Sequence, residues 1–261
     1  MAGFAVVVAI ALSWFFGIDR GGLKAPVDSA ALSRVRAVSL VEVRKTGQVP
    51  PVFADRIDID LSAFAAPERK QIFFRVILPL VARESDRIRA ERKVLVDKPG
   101  SVPDGLYERY GVALGDLERL RRRVDIIPAS LVLAQAALES GWGTSRFALD
   151  GNNLFGMRHY NMAAPGLVPA AATGFKVTRF DSLGDGVAAY MHNLNTHAAY
   201  RQLRISRAAM RRAGKPLTGP DLTAWLTNYS EIPDKYGRVL RALIVREKLT
   251  PFDQVRLATD R

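Results

Sequence analysis

Apolar residues are patterned differently in successive parts of this chain. The run AGFAVVVAIALSWFFGI at positions 2–18 carries no charge and no polar face before Asp19 and Arg20. It is long for a secretory hydrophobic region and at the short limit for a membrane span. The pattern predicts a signal anchor, or else a signal peptide, over 1–20, and either one exports the remainder of the chain. Residues 21–66 mix Gly, Pro and Ser with short Val-rich pieces and read as a linker or N-terminal extension. From Pro67 the period becomes helical, with Ile72, Phe73, Val76, Ile77, Leu80 and Val81 on one face. Pro79 is expected to kink that helix without ending it, since the pattern continues through Ile88. Lys98-Pro99-Gly100 and Pro103-Asp104-Gly105 mark a loop. Short helical pieces come next, around 107–110 and 114–124; the Arg121, Arg122, Arg123 run reads as a solvated helix end, with substrate contact as the alternative.

The next stretch is the most informative. Pro128 suits a helix start, and Ser130 to Glu139 reads SLVLAQAALE, rich in strong helix formers. Leu131, Ala134, Gln135 and Leu138 share a face, and Gly141-Trp142-Gly143 stops the helix just after Glu139. A carboxylate at the negative end of a helix holds its proton more tightly. Apolar neighbours and Trp142 push it the same way. A glutamate kept protonated near neutral pH is what a glycosidic oxygen needs from a general acid. A surface glutamate near a helix end would give the same local pattern, so the helix alone does not decide.

Downstream, Gly151, Asn152 and Asn153 form a turn before Leu154, Phe155 and Gly156. Two strand-like runs, 167–169 and 175–180, predict a small β-hairpin between helices. Asp181 or Ser182 can cap the next helix. Later helices are expected over 221–229 and from about Tyr236 to Lys248. The fold class is therefore mainly α, in the α+β sense, with a small antiparallel β-hairpin beside a glutamate-ended helix.

Composition narrows the function classes. The chain has 261 residues, 48% hydrophobic and 25% charged, with a formal net charge of +12. Such a balance attracts anionic polymers and lipid without choosing among them. No zinc-finger spacing, Walker loop or RNA-binding aromatic signature is present, so nucleic acid is not expected as a partner. There is no cysteine, which excludes disulfides and thiol chemistry. Of the three histidines, His159, His192 and His197, the last two lie five apart, off the helical metal-pair spacing. No metal and no organic cofactor are expected.

ALESGWGTSRFA followed by GNNLFG resembles the glucosaminidase domain of bacterial peptidoglycan hydrolases, glycoside hydrolase family 73, and within it the Bax-type branch. ERKQIFFRVILPLV, RRRVDIIPASLVLAQAALESGWG and YMHNLNTHAAYRQLR match that branch as well. The resemblance runs over 67–252 and leaves 253–261 as a tail. It implies a lysozyme-like, mainly helical domain whose hairpin is one lip of a glycan cleft. It also implies a peptidoglycan strand as substrate, a membrane contact through the N-terminal run, and a location on the periplasmic side of a bacterial envelope. Glu139 matches the family's general acid. Trp142, Asn152, Asn153 and Phe155 match groove-lining positions. In NYSEIPDKYG, Tyr229 is the better match for the active-site tyrosine and Tyr236 for the second one.

The sequence departs from the family at one point. Many members carry a second glutamate on or just before the hairpin, whereas VPAAATGFKV has none. Asp181, Asp185 or Glu231 could supply a second carboxylate, or none is used and the substrate's own acetamido oxygen attacks the anomeric carbon. A lytic transglycosylase and a silent wall-binding module are the competing readings.

Overall fold

The structure, a computed structural model, describes residues 29–169, 174–226 and 233–259. The apolar run at 2–18 therefore lies outside the described residues. Among those described, no helix is long and apolar enough to cross a membrane.

The fold is mainly α with a small antiparallel sheet, as the sequence pattern predicts. Helix α1 (Ser29–Arg36) and helix α2 (Leu40–Thr46) lead into strand β1 (Gln48–Val49). Helix α3 (Ala66–Asp97) is the longest element and runs unbroken through Pro79. Its first half is buried from Ile72 to Ala82, while its second half is charged. Helices α4 (Asp104–Arg109) and α5 (Leu117–Arg123) precede the central helix α6 (Ala129–Glu139). Helix α7 (Arg146–Gly151) then introduces strands β2 (Arg158–His159), β3 (Gly166–Leu167) and β4 (Lys176–Thr178). These form a three-stranded sheet in the order β2-β4-β3, with Arg158 opposite Val177 and Leu167 opposite the same residue. The expected hairpin thus gains a third strand from the residues just after GNNLFG. Helices α8 (Leu183–Thr196), α9 (Arg201–Arg212), α10 (Gly219–Leu222) and α11 (Pro233–Arg246) complete the body. Ser182 is the N-cap of α8, its hydroxyl accepting from the Asp185 amide.

Helix α6 occupies the centre. The sequence predicts one apolar face, yet every residue from Ala129 to Ala137 is buried. Its Ala, Val and Leu side chains leave no polar stripe, so the helix must be covered all round. Helices α3, α10 and α11 and the turn at 250–254 pack on it. Its N-cap is Pro128, which offers no side-chain acceptor for the free amides of the first turn. The acceptor comes from the far end of the chain. Asp253 receives the Ser130 amide at 2.8 Å through Oδ1 and the Gly219 amide at 3.0 Å through Oδ2. One carboxylate therefore caps the starts of α6 and α10 together.

Residues 29–66 differ from the spacer expected of that stretch. Leu32, Val35, Val38, Leu40, Val43, Val49, Ile59 and Leu61 are buried in the common core. Their spacing is spread over short elements, so no single period reveals it. Likewise the expected tail contributes strand β5 (Arg256–Leu257), which pairs in parallel with β1, Gln48 opposite Arg256. The helix anticipated over 221–229 is observed as α10 and a 3-10 turn ending at Trp225; 227–229 lie outside the described residues.

Asp253→Ala leaves two buried backbone amides without acceptors, each costing about 1–3 kcal/mol. We expect urea denaturation to show a loss of about 3 kcal/mol, with Asp253→Asn falling in between. An unchanged midpoint for Asp253→Ala would remove this cap from the account of α6.

Candidate active site

The end of α6 is built by the residues that stop it. Ser140 is the C-cap; its hydroxyl donates to the Ala136 carbonyl and accepts the Gly143 amide at 2.8 Å. Three consecutive residues then take left-handed backbone: Gly141 at φ 59°, Trp142 at 61° and Gly143 at 78°. A side chain at Gly143 would have its Cβ 2.8 Å from Ile57 Cδ1 and 3.0 Å from Leu61 Cδ1, so only glycine fits that turn. Trp142 is strained in this conformation and is held there by packing. Its half-buried ring meets Phe73 and Phe74 edge-on, and the Lys70 ammonium lies 4.8 Å from its centre.

Glu139 is thereby fixed at the point where a buried helix reaches the surface. The residue keeps some exposure, while its carboxyl is enclosed by protein. Burial pushes the carboxyl up to about 7, against the opposing effects of a Tyr236 hydrogen bond and the Arg158 charge. Tyr236, from α11, donates its hydroxyl to Glu139 Oε1 at 2.7 Å. That hydroxyl in turn accepts from Gln135 Nε2 at 3.1 Å. Gln135 lies one turn before Glu139 on α6, and its Oε1 accepts from the Tyr190 hydroxyl of α8. A tyrosine has one proton to give. With Gln135 donating to the Tyr236 oxygen, that proton is directed to the carboxyl. Burial also raises the Tyr190 hydroxyl well above its ordinary value, which keeps it a donor. The chain Tyr190, Gln135, Tyr236, Glu139 links three helices.

Arg158 enters from β2, its guanidinium 4.2 Å from the Phe175 ring. Its position on the sheet depends on the GNNLFG turn. Asn153 is 1% exposed; its amide donates to the Met157 and Thr178 carbonyls, both at 2.8 Å, and its oxygen accepts the Phe155 and Met157 amides. Asn152 ends α7 in left-handed backbone at φ 50° and donates to the carbonyls of Phe180 and Asp181. Phe155 is 0% exposed and stacks on Tyr190 with ring centres 3.8 Å apart.

These placements correct part of the sequence expectation. Asn153 and Phe155 do not face a groove, because the Asn153 amide satisfies buried backbone and the Phe155 ring is enclosed, while Asn152 binds the Phe180 and Asp181 carbonyls through its nitrogen only. They brace the sheet and set Tyr190, which sets Gln135. Trp142 remains half-buried beside the acid. Tyr236, expected as the second tyrosine of its motif, is the one bonded to Glu139. Tyr229 and Glu231 lie outside the described residues. Asp185 is engaged in the cap, accepting from the Ser182 hydroxyl at 2.7 Å, and the Asp181 side chain is exposed. Sequence reading misses Gln135 as a polar partner and does not single out Tyr190 and Arg158. A lone Gln within an otherwise apolar helix, four residues before the acid, is the available signal. Among the described residues no three of His, Asp or Glu gather as a metal site.

A buried helix ending on a carboxyl with a pKa near neutrality, steadied by one tyrosine and overlooked by one arginine, has the geometry that acid–base chemistry on a glycosidic bond requires. The mannosyl-glycoprotein endo-beta-N-acetylglucosaminidase family model matches residues 115–249, from the start of α5 past the end of α11. Protein bax of Escherichia coli strain K12 is 36% identical over 191 residues, 67% of this chain and 68% of that protein. The catalytic domain of the autolysin Auto from Listeria monocytogenes aligns with a TM-score of 0.43 at 22% identity, over 82% of this chain and 98% of that one. The chain belongs to the glucosaminidase family of glycoside hydrolases.

The Tyr236 hydrogen bond favours the ionised carboxyl, so Tyr236→Phe must raise the Glu139 pKa further. A hydrogen bond to a charged group contributes about 1.5–3 kcal/mol, on the order of one pKa unit or more. An NMR titration of 13C-labelled glutamate should show a midpoint near 7 for Glu139 and a higher one in the variant. A midpoint near 4.5 in the parent would contradict the enclosure of this carboxyl.

Proposed function

We propose that this protein is an exported peptidoglycan hydrolase that cleaves the β-1,4 bond after N-acetylglucosamine, an endo-β-N-acetylglucosaminidase. The observation that carries the reading is the Glu139 carboxyl, buried at the end of α6, bonded to Tyr236 and poised near pH 7. A group with that pKa serves as acid in one step and base in the next at neutral pH. Glu139 gives its proton to the leaving glycosidic oxygen as the bond to the anomeric carbon breaks. The substrate's acetamido oxygen attacks that carbon and forms a cyclic oxazolinium. Water then adds to the anomeric carbon, losing its proton to Glu139, and the ring reopens to the acetamide. This route uses one protein carboxyl, in keeping with Asp185 being occupied by its cap. It requires no metal and no organic cofactor.

Tyr229 matches the family's active-site tyrosine, and in this reading its hydroxyl binds the reacting sugar's amide. Tyr236 holds the acid in place, and the half-buried Trp142 ring offers its remaining surface to the glycan. The peptidoglycan strand is the partner, nucleic acid is not, and the apolar run at 2–18 is the contact with the membrane. The protein then works in the bacterial cell envelope, on the periplasmic side. The lytic transglycosylase reading is kept because one carboxyl also suffices for that reaction, which leaves an anhydro sugar in place of a hydrated end.

Digestion of purified peptidoglycan by the full chain, followed by mass spectrometry with and without borohydride reduction, distinguishes the outcomes. Reducible N-acetylglucosamine ends are expected, with release falling by a factor of about 1000 or more in Glu139→Gln, as for loss of an acid–base group together with its charge. Anhydro-muramyl ends would assign the transglycosylase reaction instead. Proton NMR of the first product should show retained anomeric configuration; inversion would end the substrate-assisted mechanism.

A further inference from the structure

A cleft of about 530 Å3 lies between α5 and α9. Six arginines line it: Arg119, Arg122 and Arg123 from α5, and Arg201, Arg204 and Arg212 from α9. Among the described residues none of the six forms an ion pair, whereas their neighbours Arg121 and Arg211 do, with Glu118 and Asp125. The one acid in the lining, Asp116, is engaged as the N-cap of α5, accepting the Arg119 amide.

The cleft is graded by depth. Arg204 is 5% exposed and donates through Nη1 to the carbonyls of Leu194 and His197, at 2.9 and 2.8 Å. Arg123, half-buried, donates through Nη1 to Tyr110 and Gly111. These two are held by backbone, while Arg119, Arg122, Arg201 and Arg212 are exposed at the rim. Burial pushes the Arg204 guanidinium down to about 9, and the charges of Arg123, Arg207, Arg119 and Arg201 add to that. Positive charge is concentrated here against its own repulsion, in a concave site, with six arginines to one carboxylate.

We propose that this cleft is a binding site for a phosphate-class dianion, a phosphomonoester or pyrophosphate group. Guanidinium forks match the paired oxygens of phosphate. A phosphomonoester carries about −1.5 to −2 charges at pH 7, so one such group offsets more of the cluster than a carboxylate does. The site shares no lining residue with the Glu139 site and stands independently of the glycosidase reading.

Calorimetric titration of the full chain with sodium pyrophosphate and with inorganic phosphate, at fixed ionic strength, tests it. One saturable site is expected. Affinity should fall at least about tenfold in the triple variant Arg119→Gln/Arg201→Gln/Arg212→Gln, whose three rim side chains hold no backbone carbonyl. Lys45→Gln/Lys98→Gln/Lys235→Gln removes the same formal charge elsewhere and should leave affinity within about twofold. Flotation with vesicles of phosphatidic acid, against phosphatidylcholine alone, then identifies the source. Loss of the phosphatidic-acid contribution in the rim variant points to a lipid headgroup, and its retention to a soluble ester. No saturable binding, or equal losses in the two triple variants, would overturn the proposal.

Discussion

Everything in this structure depends on enclosing one apolar helix that must nevertheless end in a carboxyl group. Helix α6 has no polar face to show to water, so it draws helices around it. That enclosure excludes solvent from the last turn, and exclusion of solvent is what raises the Glu139 pKa. The protein needs the acid reachable at one edge and dry elsewhere. It meets both needs by ending the helix abruptly, through Ser140 and three left-handed residues, at the boundary of the core. The wall around the carboxyl is then the same packing that stabilises the domain, and stability and acidity are set by one set of contacts.

The arrangement also explains why the two sequence blocks flanking Glu139 differ in kind. Residues 139–143 act on the acid directly by shaping the helix end. GNNLFG acts at a distance: its asparagines tie the sheet to α7 and α8, and its phenylalanine supports Tyr190. From Tyr190 the influence passes through Gln135 to Tyr236. A substitution in GNNLFG would therefore disturb the acid's hydrogen-bond partner without touching the acid.

The sequence is legible wherever a local rule governs. The period of α3, the helical run of α6, the stop at Gly141, the Ser182 cap and the strand-like runs are all short-range, and the structure contains each of these features. Glu139 stands out because its neighbours in sequence are also its neighbours in space. The features that sequence reading misses join distant positions. Asp253 caps an amide 123 residues away, and Tyr236 reaches across 97 residues to Glu139. No periodicity encodes such pairings. Asn152, Asn153 and Phe155 read as groove residues because polar and aromatic side chains near an acid suggest sugar contacts. The Asn153 amide group and the Asn152 nitrogen are instead required by backbone groups of a tight turn, a demand that only the folded chain reveals. The pieces of 29–66 buried in the core escape for the same reason, being too short to show a face.

The pairing of β1 with β5 has a consequence for the order in which the molecule can be completed. Synthesis delivers the chain from its N-terminal side. Strand β1 then waits, with an open edge, for residues 256 and 257, and the first turn of α6 waits for Asp253. Until those residues emerge, the helix that carries Glu139 lacks its cap and part of its cover. The Glu139 carboxyl is thus fully enclosed only after residues 250–257 have joined the fold.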